Sequence, residues 1–157
     1  MTRSADRRTD STVVLVVDDD PHMLNSTAAM LSGRGYGVIT SSSAEQALDE
    51  VKKGSSDLVL SDIRMPDMSG LELLRSVHRI SADIPVILMT AYADMEVAVS
   101  AIQDGAFDFL MKPFKGEYLF HTIEKAEKHL RLTRLEKNYR STGIPVGTYP
   151  SSHRRTV

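Results

Sequence analysis

The chain has 157 residues, 41% hydrophobic and 25% charged, which suits one compact domain and excludes a disordered chain. It contains no cysteine, so disulfides, thiolate metal sites and cysteine nucleophiles are excluded, in keeping with a reducing cytoplasm. A net charge of -2 gives no electrostatic reason to expect nucleic-acid binding, and no run approaches the roughly 18 apolar residues of a membrane span.

Residues 1–12 are polar and patternless and read as a loose leader. Val13–Val17 is a continuous β-branched apolar run, the pattern of a strand buried on both faces. Asp20 followed by Pro21 reads as an N-cap and a first helical position, with Met23, Leu24, Thr27, Ala28 and Leu31 behind them at helical spacing. Gly33, Gly35 and Gly37 bracket a turn into a second strand near Tyr36–Thr40. They do not form G-x-G-x-x-G after a strand, so a dinucleotide site is not expected. Ser43 caps a second helix carrying Ala44, Ala47, Leu48 and Val51, and Gly54 stops it.

"DLVLSD" is a third buried strand and "MPDMSG" a loop, with Leu71, Leu73, Leu74 and Val77 marking the next helix. "IPVILMT" is a fourth strand, "ADMEVAVSAIQDGA" a helix, and "FDFLM" a short fifth strand closed by Lys112-Pro113. The last helix is predicted to start near Gly116 and to continue to about Tyr139. Five rounds of strand then helix, joined by short loops, predict a parallel sheet with helices on both faces. A five-stranded sheet of this kind suits the flavodoxin-like order 2-1-3-4-5.

In such a sheet, ligands bind outside the carboxyl ends of the strands. Strand one exits into Asp18-Asp19-Asp20, strand three into Asp62, strand four into Thr90-Ala91 and strand five into Lys112-Pro113. Carboxylates, a hydroxyl and an ammonium therefore converge on one edge. Clustered carboxylates at a solvated edge call for a hard cation, and magnesium binds through one or two carboxylates plus phosphate. A carboxylate beside it can then act as a nucleophile towards phosphorus. Lys112 would offer a fixed positive charge to phosphoryl oxygens, and Thr90 a hydrogen-bond donor.

"VVDDDP", "DLVLSDIRMPDMSG", "VILMTAY" and "GAFDFLMKPF" together resemble the receiver domain of bacterial two-component response regulators, over about Val13 to Leu130. "AIQDGAFDFLMKPF" looks most like receivers of the nitrogen-regulation and dicarboxylate-transport activators. The resemblance implies that Asp62 accepts a phosphoryl group from a histidine kinase or a phosphotransfer protein. It implies magnesium ligation by Asp19, by Asp18 through water, by Asp62 and by the backbone carbonyl of Arg64. Lys112 would contact the phosphate, with a cis bond to Pro113, while Thr90 and Phe109 would switch conformation together. Arg64 and Tyr92 would tune the lifetime of the phosphoryl group. The output surface would be the fourth helix, fifth strand and fifth helix, where a homodimer could form. Asp20 is assigned the cap of the first helix.

Plainer readings exist for each residue alone. Asp18 and Asp19 could be part of a helix cap, Thr90 a strand-end hydroxyl, Lys112-Pro113 a turn and Phe109 core; their shared register is what sets them aside. His22, His78, His121, His129 and His153 are scattered, with no pair at i,i+4, and read as solvated or locally bonded. Two other functions fit some of the residues. A haloacid-dehalogenase-like phosphatase would use Asp18 as nucleophile but leaves Asp62 unexplained, and a docking pseudo-receiver would not be phosphorylated at all.

Leu119, Ile123, Ala126 and Leu130 form a stripe that should dock on the sheet. Beyond them, Leu132, Leu135 and Tyr139 form a second stripe on a rotated face, in a helical extension over residues 131–140. Glu124–Lys128, Glu127–Arg131 and Glu136–Arg140 are expected i,i+4 pairs. The helix then outruns its domain, as a solvated end or as a short coiled-coil dimer. Residues 141–157 read as a flexible tail. Too short for a further module, the tail suggests a stand-alone receiver, the alternative being a piece ending before an output domain.

Overall fold

The computed structural model describes residues 11–142, with side chains through residue 138. Strands β1 (Val13–Val17), β2 (Gly37–Ser41), β3 (Leu58–Asp62), β4 (Val86–Thr90) and β5 (Asp108–Met111) form one sheet, all neighbours parallel, in the order β2-β1-β3-β4-β5. The helices are α1 (Pro21–Gly33), α2 (Ala44–Lys53), α3 (Gly70–Ile80), α4 (Met95–Gln103) and α5 (Gly116–Thr142), with a 3-10 turn at Tyr92–Asp94 ahead of α4. The expected fold and strand order are present.

The period of two along each strand divides the core. Leu15 and Val17, with Val59 and Leu88, face the layer holding Leu73, Leu74, Ala98 and Ala101 of the α2–α4 side. Val14 and Val16, with Leu58, Leu60 and Ile87, face Leu31 and the α5 stripe Leu119, Ile123, Ala126 and Leu130. A run apolar at every position is thus what a sheet covered on both faces requires.

Local chemistry sets the ends. The Asp20 carboxylate accepts the His22 N–H at 3.0 Å, as its cap role predicted. Ser43 caps α2, and Gly54 closes it in the left-handed conformation at φ 74. Ser69 and Glu72 form a reciprocal capping box at the start of α3, a signal present as Ser-x-x-Glu. Strand β2 starts one residue later than predicted, because the Tyr36 N–H turns back to Leu31 O at 3.1 Å and finishes α1.

The ends of the chain and its last helix differ from expectation in four ways. Thr12, placed in the leader, belongs to the fold: its carbonyl accepts from Gly37 N–H at 3.0 Å, and its hydroxyl donates to Glu127 at 2.6 Å. Glu127 also accepts from the Tyr36 hydroxyl, so it reaches across the structure rather than along the helix to Arg131, and Glu124 stands 3.8 Å from Arg34. Beyond Leu130, α5 does not simply leave the domain. Arg134 donates to Asp57 at 2.9 Å and Lys137 pairs with Asp83, while Leu132 and Leu135 face solvent. Helix α5 runs two residues into the stretch read as tail. The leader residues 1–10, the tail from 143 onwards and the side chains of Tyr139 and Arg140 lie outside the described residues.

Candidate functional site

Three loops deliver the strand-end residues to one place. At the end of β1, Asp18 is fully buried, its N–H held by Ser41 O at 3.1 Å. Its carboxylate accepts the Asp20 N–H at 3.0 Å and the Lys112 ammonium at 3.3 Å. Asp62, at the end of β3, lies 3.3 Å from the same ammonium. The exposed Asp19 completes a set in which one oxygen from each of Asp18, Asp19 and Asp62 lies within 4.8 Å of the others. A single ammonium therefore serves two carboxylates, with a third close by.

The electrostatics follow. Burial pushes the Asp62 carboxyl above the usual carboxylate range, and the Asp18 charge adds to that, against the pull of Lys112 and of the Arg64 backbone N–H. Oxygen donors with excess negative charge are the donor set of a hard divalent cation, so the residues fit magnesium.

Lys112 is aimed by its backbone. The Lys112–Pro113 peptide is cis, and the Lys112 N–H donates to Thr90 O at 2.7 Å, joining the exits of β5 and β4. The loop after β3 is pinned at both ends. The Gly70 N–H donates to Ile63 O at 2.7 Å, and a β-carbon at Gly70 would come within 2.8 Å of Asp62 O. Asp67, which the sequence did not single out, accepts the Ala44 and Glu45 N–H groups at the start of α2, at 3.3 and 3.0 Å. Only glycine at 70 lets α3 begin so close to the end of β3.

The remaining candidates are placed around this centre. Thr90 is fully buried and its hydroxyl donates to Ala91 O at 3.0 Å. Phe109 is half-buried against the α2–α4 core, and Tyr92 stands 80% exposed. The Arg64 side chain is drawn to Asp94, at 2.6 Å for its shortest contact. Asp94 was missed because nothing in the sequence links it to a residue 30 positions earlier. As for the histidines, His78 meets Ile84 O at 3.0 Å and His129 lies against Phe107, local roles as expected.

These features define a doubly wound α/β domain with a carboxylate cluster at the carboxyl edge of its sheet, and comparison with known proteins gives its family. The profile described as "Response regulator receiver domain" matches residues 14–124, and the chain belongs to that family. It is similar to the transcriptional regulatory protein ZraR of Escherichia coli, 42% identical over 120 residues, which are 76% of this chain and 27% of that protein. The C4-dicarboxylate transport transcriptional regulatory protein DctD of Pseudomonas aeruginosa is 38% identical over 146 residues, covering 93% of this chain and 31% of that protein. The chain thus spans less than a third of the length of these two curated relatives. A response regulator receiver domain protein from Clostridium thermocellum superposes with a TM-score of 0.76 at 31% identity, over 78% of this chain and 98% of that one. As a receiver, the chain is a signalling domain of two-component systems. Among the described residues no helix is long and apolar enough to cross a membrane.

Proposed function

We propose that Asp62 is the phosphoryl acceptor and that the chain catalyses its own phosphorylation and dephosphorylation there. The observation that carries this is the shared ammonium: Lys112 stands 3.3 Å from both Asp62 and Asp18 in a cluster of carboxylates with one cation too few. An Asp62 oxygen attacks the phosphorus of a phosphohistidine on a histidine kinase or phosphotransfer protein. The P–N bond breaks, imidazole leaves with its electron pair, and an acyl phosphate forms. Lys112 meets the phosphoryl oxygens as their charge moves towards Asp62. In dephosphorylation a water oxygen attacks the same phosphorus, the P–O bond to Asp62 breaks, and inorganic phosphate leaves.

Asp18, Asp19, Asp62 and the backbone carbonyl of Arg64 would hold magnesium. When bound, the ion supplies the positive charge that lets an anionic carboxylate approach an anionic phosphoryl group. A phosphoryl oxygen would then draw the Thr90 hydroxyl from Ala91 O, with Phe109 following. Tyr92, free at the rim, would govern the approach of water. Val99 and Ile102 on α4, Met111 on β5 and Tyr118 on α5 are exposed, which supports that face as the output or dimer surface. A cytoplasmic setting and a domain spanning residues 13–130 belong to the same reading.

A dehalogenase-like role for Asp18 is disfavoured by geometry. Both of its oxygens are engaged and it has no exposed surface, whereas the Asp62 side chain is 16% exposed. Intact-mass measurement after incubation with acetyl phosphate tests the reading. A single adduct that needs magnesium and disappears in Asp62→Asn is expected. An adduct that survives Asp62→Asn overturns it.

A further inference from the structure

Asp94 occupies the N-cap position of α4 without capping it. Its backbone, at φ -106 and ψ 18, lacks the extended conformation of a cap, and its side chain makes no cap hydrogen bond. The carboxylate is taken instead by the fork of Arg64: Nε donates at 3.0 and 2.8 Å to the two oxygens, and Nη2 at 2.6 Å to Oδ1. The first N–H groups of α4 thus lose a side-chain acceptor that sits at the right place in the chain. Each partner holds the other firmly, with the Asp94 carboxyl below its usual range because of the guanidinium beside it.

Arg64 has a second claim on it. It lies two residues after Asp62, its backbone N–H pulls the Asp62 carboxyl downward, and with Asp19 and Asp94 it lines one groove of about 520 Å³. A phosphoryl group has three strong acceptor oxygens and close to two negative charges, and an arginine fork matches such a group bidentately. If Arg64 turned away with nothing to replace it, the buried Asp94 carboxylate would be stranded at a high cost. The start of α4 removes that obstacle: Met95 N–H is held by Tyr92 O, but the next two N–H groups, of Glu96 and Val97, are those an N-cap carboxylate at Asp94 would take as alternative partners.

We propose that Asp94 is a positioning residue with two exclusive partners: it holds Arg64 off the acceptor in the unphosphorylated chain and caps α4 once a phosphoryl group on Asp62 draws Arg64 away. This rests on Asp62 being the acceptor. The exchange refolds the junction between the 3-10 turn and α4, so a charge change at the end of β3 is delivered to the helix that bears Val99 and Ile102.

The test is amide hydrogen exchange at Glu96 and Val97, the N–H groups a cap at Asp94 would engage, on the full chain with and without acetyl phosphate and magnesium. Phosphorylation is expected to slow their exchange about fivefold, the equilibrium factor of an ordinary N-cap bond. Arg64→Ala is expected to slow them without phosphate, because Asp94 is then free to cap. A merely structural ion pair predicts the opposite sign, since breaking it would loosen the start of α4. Asp94→Asn, which can cap but cannot hold a charged fork, should resemble Arg64→Ala, and Asp94→Ala should show no slowing in either state. Arg64→Ala removes an exposed side chain, so the test does not depend on a variant that fails to fold. Unchanged exchange in wild type whose Asp62 carries the phosphoryl group by mass overturns the inference alone. The lack of any adduct at Asp62 overturns the acceptor reading and the inference with it.

Discussion

The two edges of the sheet use the same residue types to opposite ends. At the amino edge, Asp57 accepts from Val13 N–H at 2.8 Å and from Arg134 at 2.9 Å, and Asp83 pairs with Lys137. Each carboxylate there has its own cation. At the carboxyl edge, Asp18 and Asp62 share the single ammonium of Lys112 with Asp19 close by, and the Asp62 carboxyl is pushed upward. The first arrangement satisfies charge and holds β1, β3 and α5 together. The second leaves charge unbalanced, which is costly in a folded chain unless a ligand completes it. The difference separates a structural ion pair from a site.

Removing the cation at each edge sharpens that comparison. Lys112→Met should lower the rate of phosphoryl uptake by on the order of 10²-fold, as loss of one preorganised electrostatic partner does, measured by adduct formation with acetyl phosphate and magnesium. An unchanged rate would erase the distinction between the edges. Gly70→Ala should destabilise the fold by about 1–3 kcal/mol in urea unfolding, because the added methyl meets the backbone of Asp62 and Ile63 at 2.8 Å.

Asp62→Asn should raise the melting temperature in a metal-free buffer and abolish the further rise that magnesium gives the wild type. The sign follows from the direction of the shift. A carboxyl whose folded pKa is raised favours the neutral form in the fold, so the ionised group weakens the fold above that pKa. The stability gap between the variant and wild type should therefore widen as pH rises through the raised range and close below the ordinary carboxylate range. Thermal scans across acid to neutral pH, with a chelator present, check it. The smallest effect belongs to the amino edge. Arg134→Ala, at an exposed pair, should cost about 0–1 kcal/mol and lose that effect in high salt, with phosphoryl uptake unchanged.

Much of this could be read before any coordinates. The β-branched run Val13–Val17 and its counterparts declare buried parallel strands, and the strand exits then list Asp18, Asp19, Asp62, Thr90 and Lys112 in register. What stayed hidden depends on partners distant in sequence. Glu127 looks like an i,i+4 partner for Arg131, yet Thr12 and Tyr36 take its carboxylate because β2 and α5 bring them together. Asp67 reads as a loop residue until the start of α2 is seen above it. Asp94 lies inside a stretch read only as helix, and nothing there signals that an arginine from another loop takes its carboxylate. Periodicity reports which face a residue takes, while competition between partners is settled only by the fold.

The most direct test of the account is to locate the phosphoryl group itself. Borohydride reduces an acyl phosphate to the alcohol and so marks the residue that carried it, which peptide mass mapping then reads. With acetyl phosphate and magnesium, the account predicts the mark at Asp62 and nowhere else in the chain. A mark at Asp18, the buried carboxylate whose oxygens are already engaged, would contradict it.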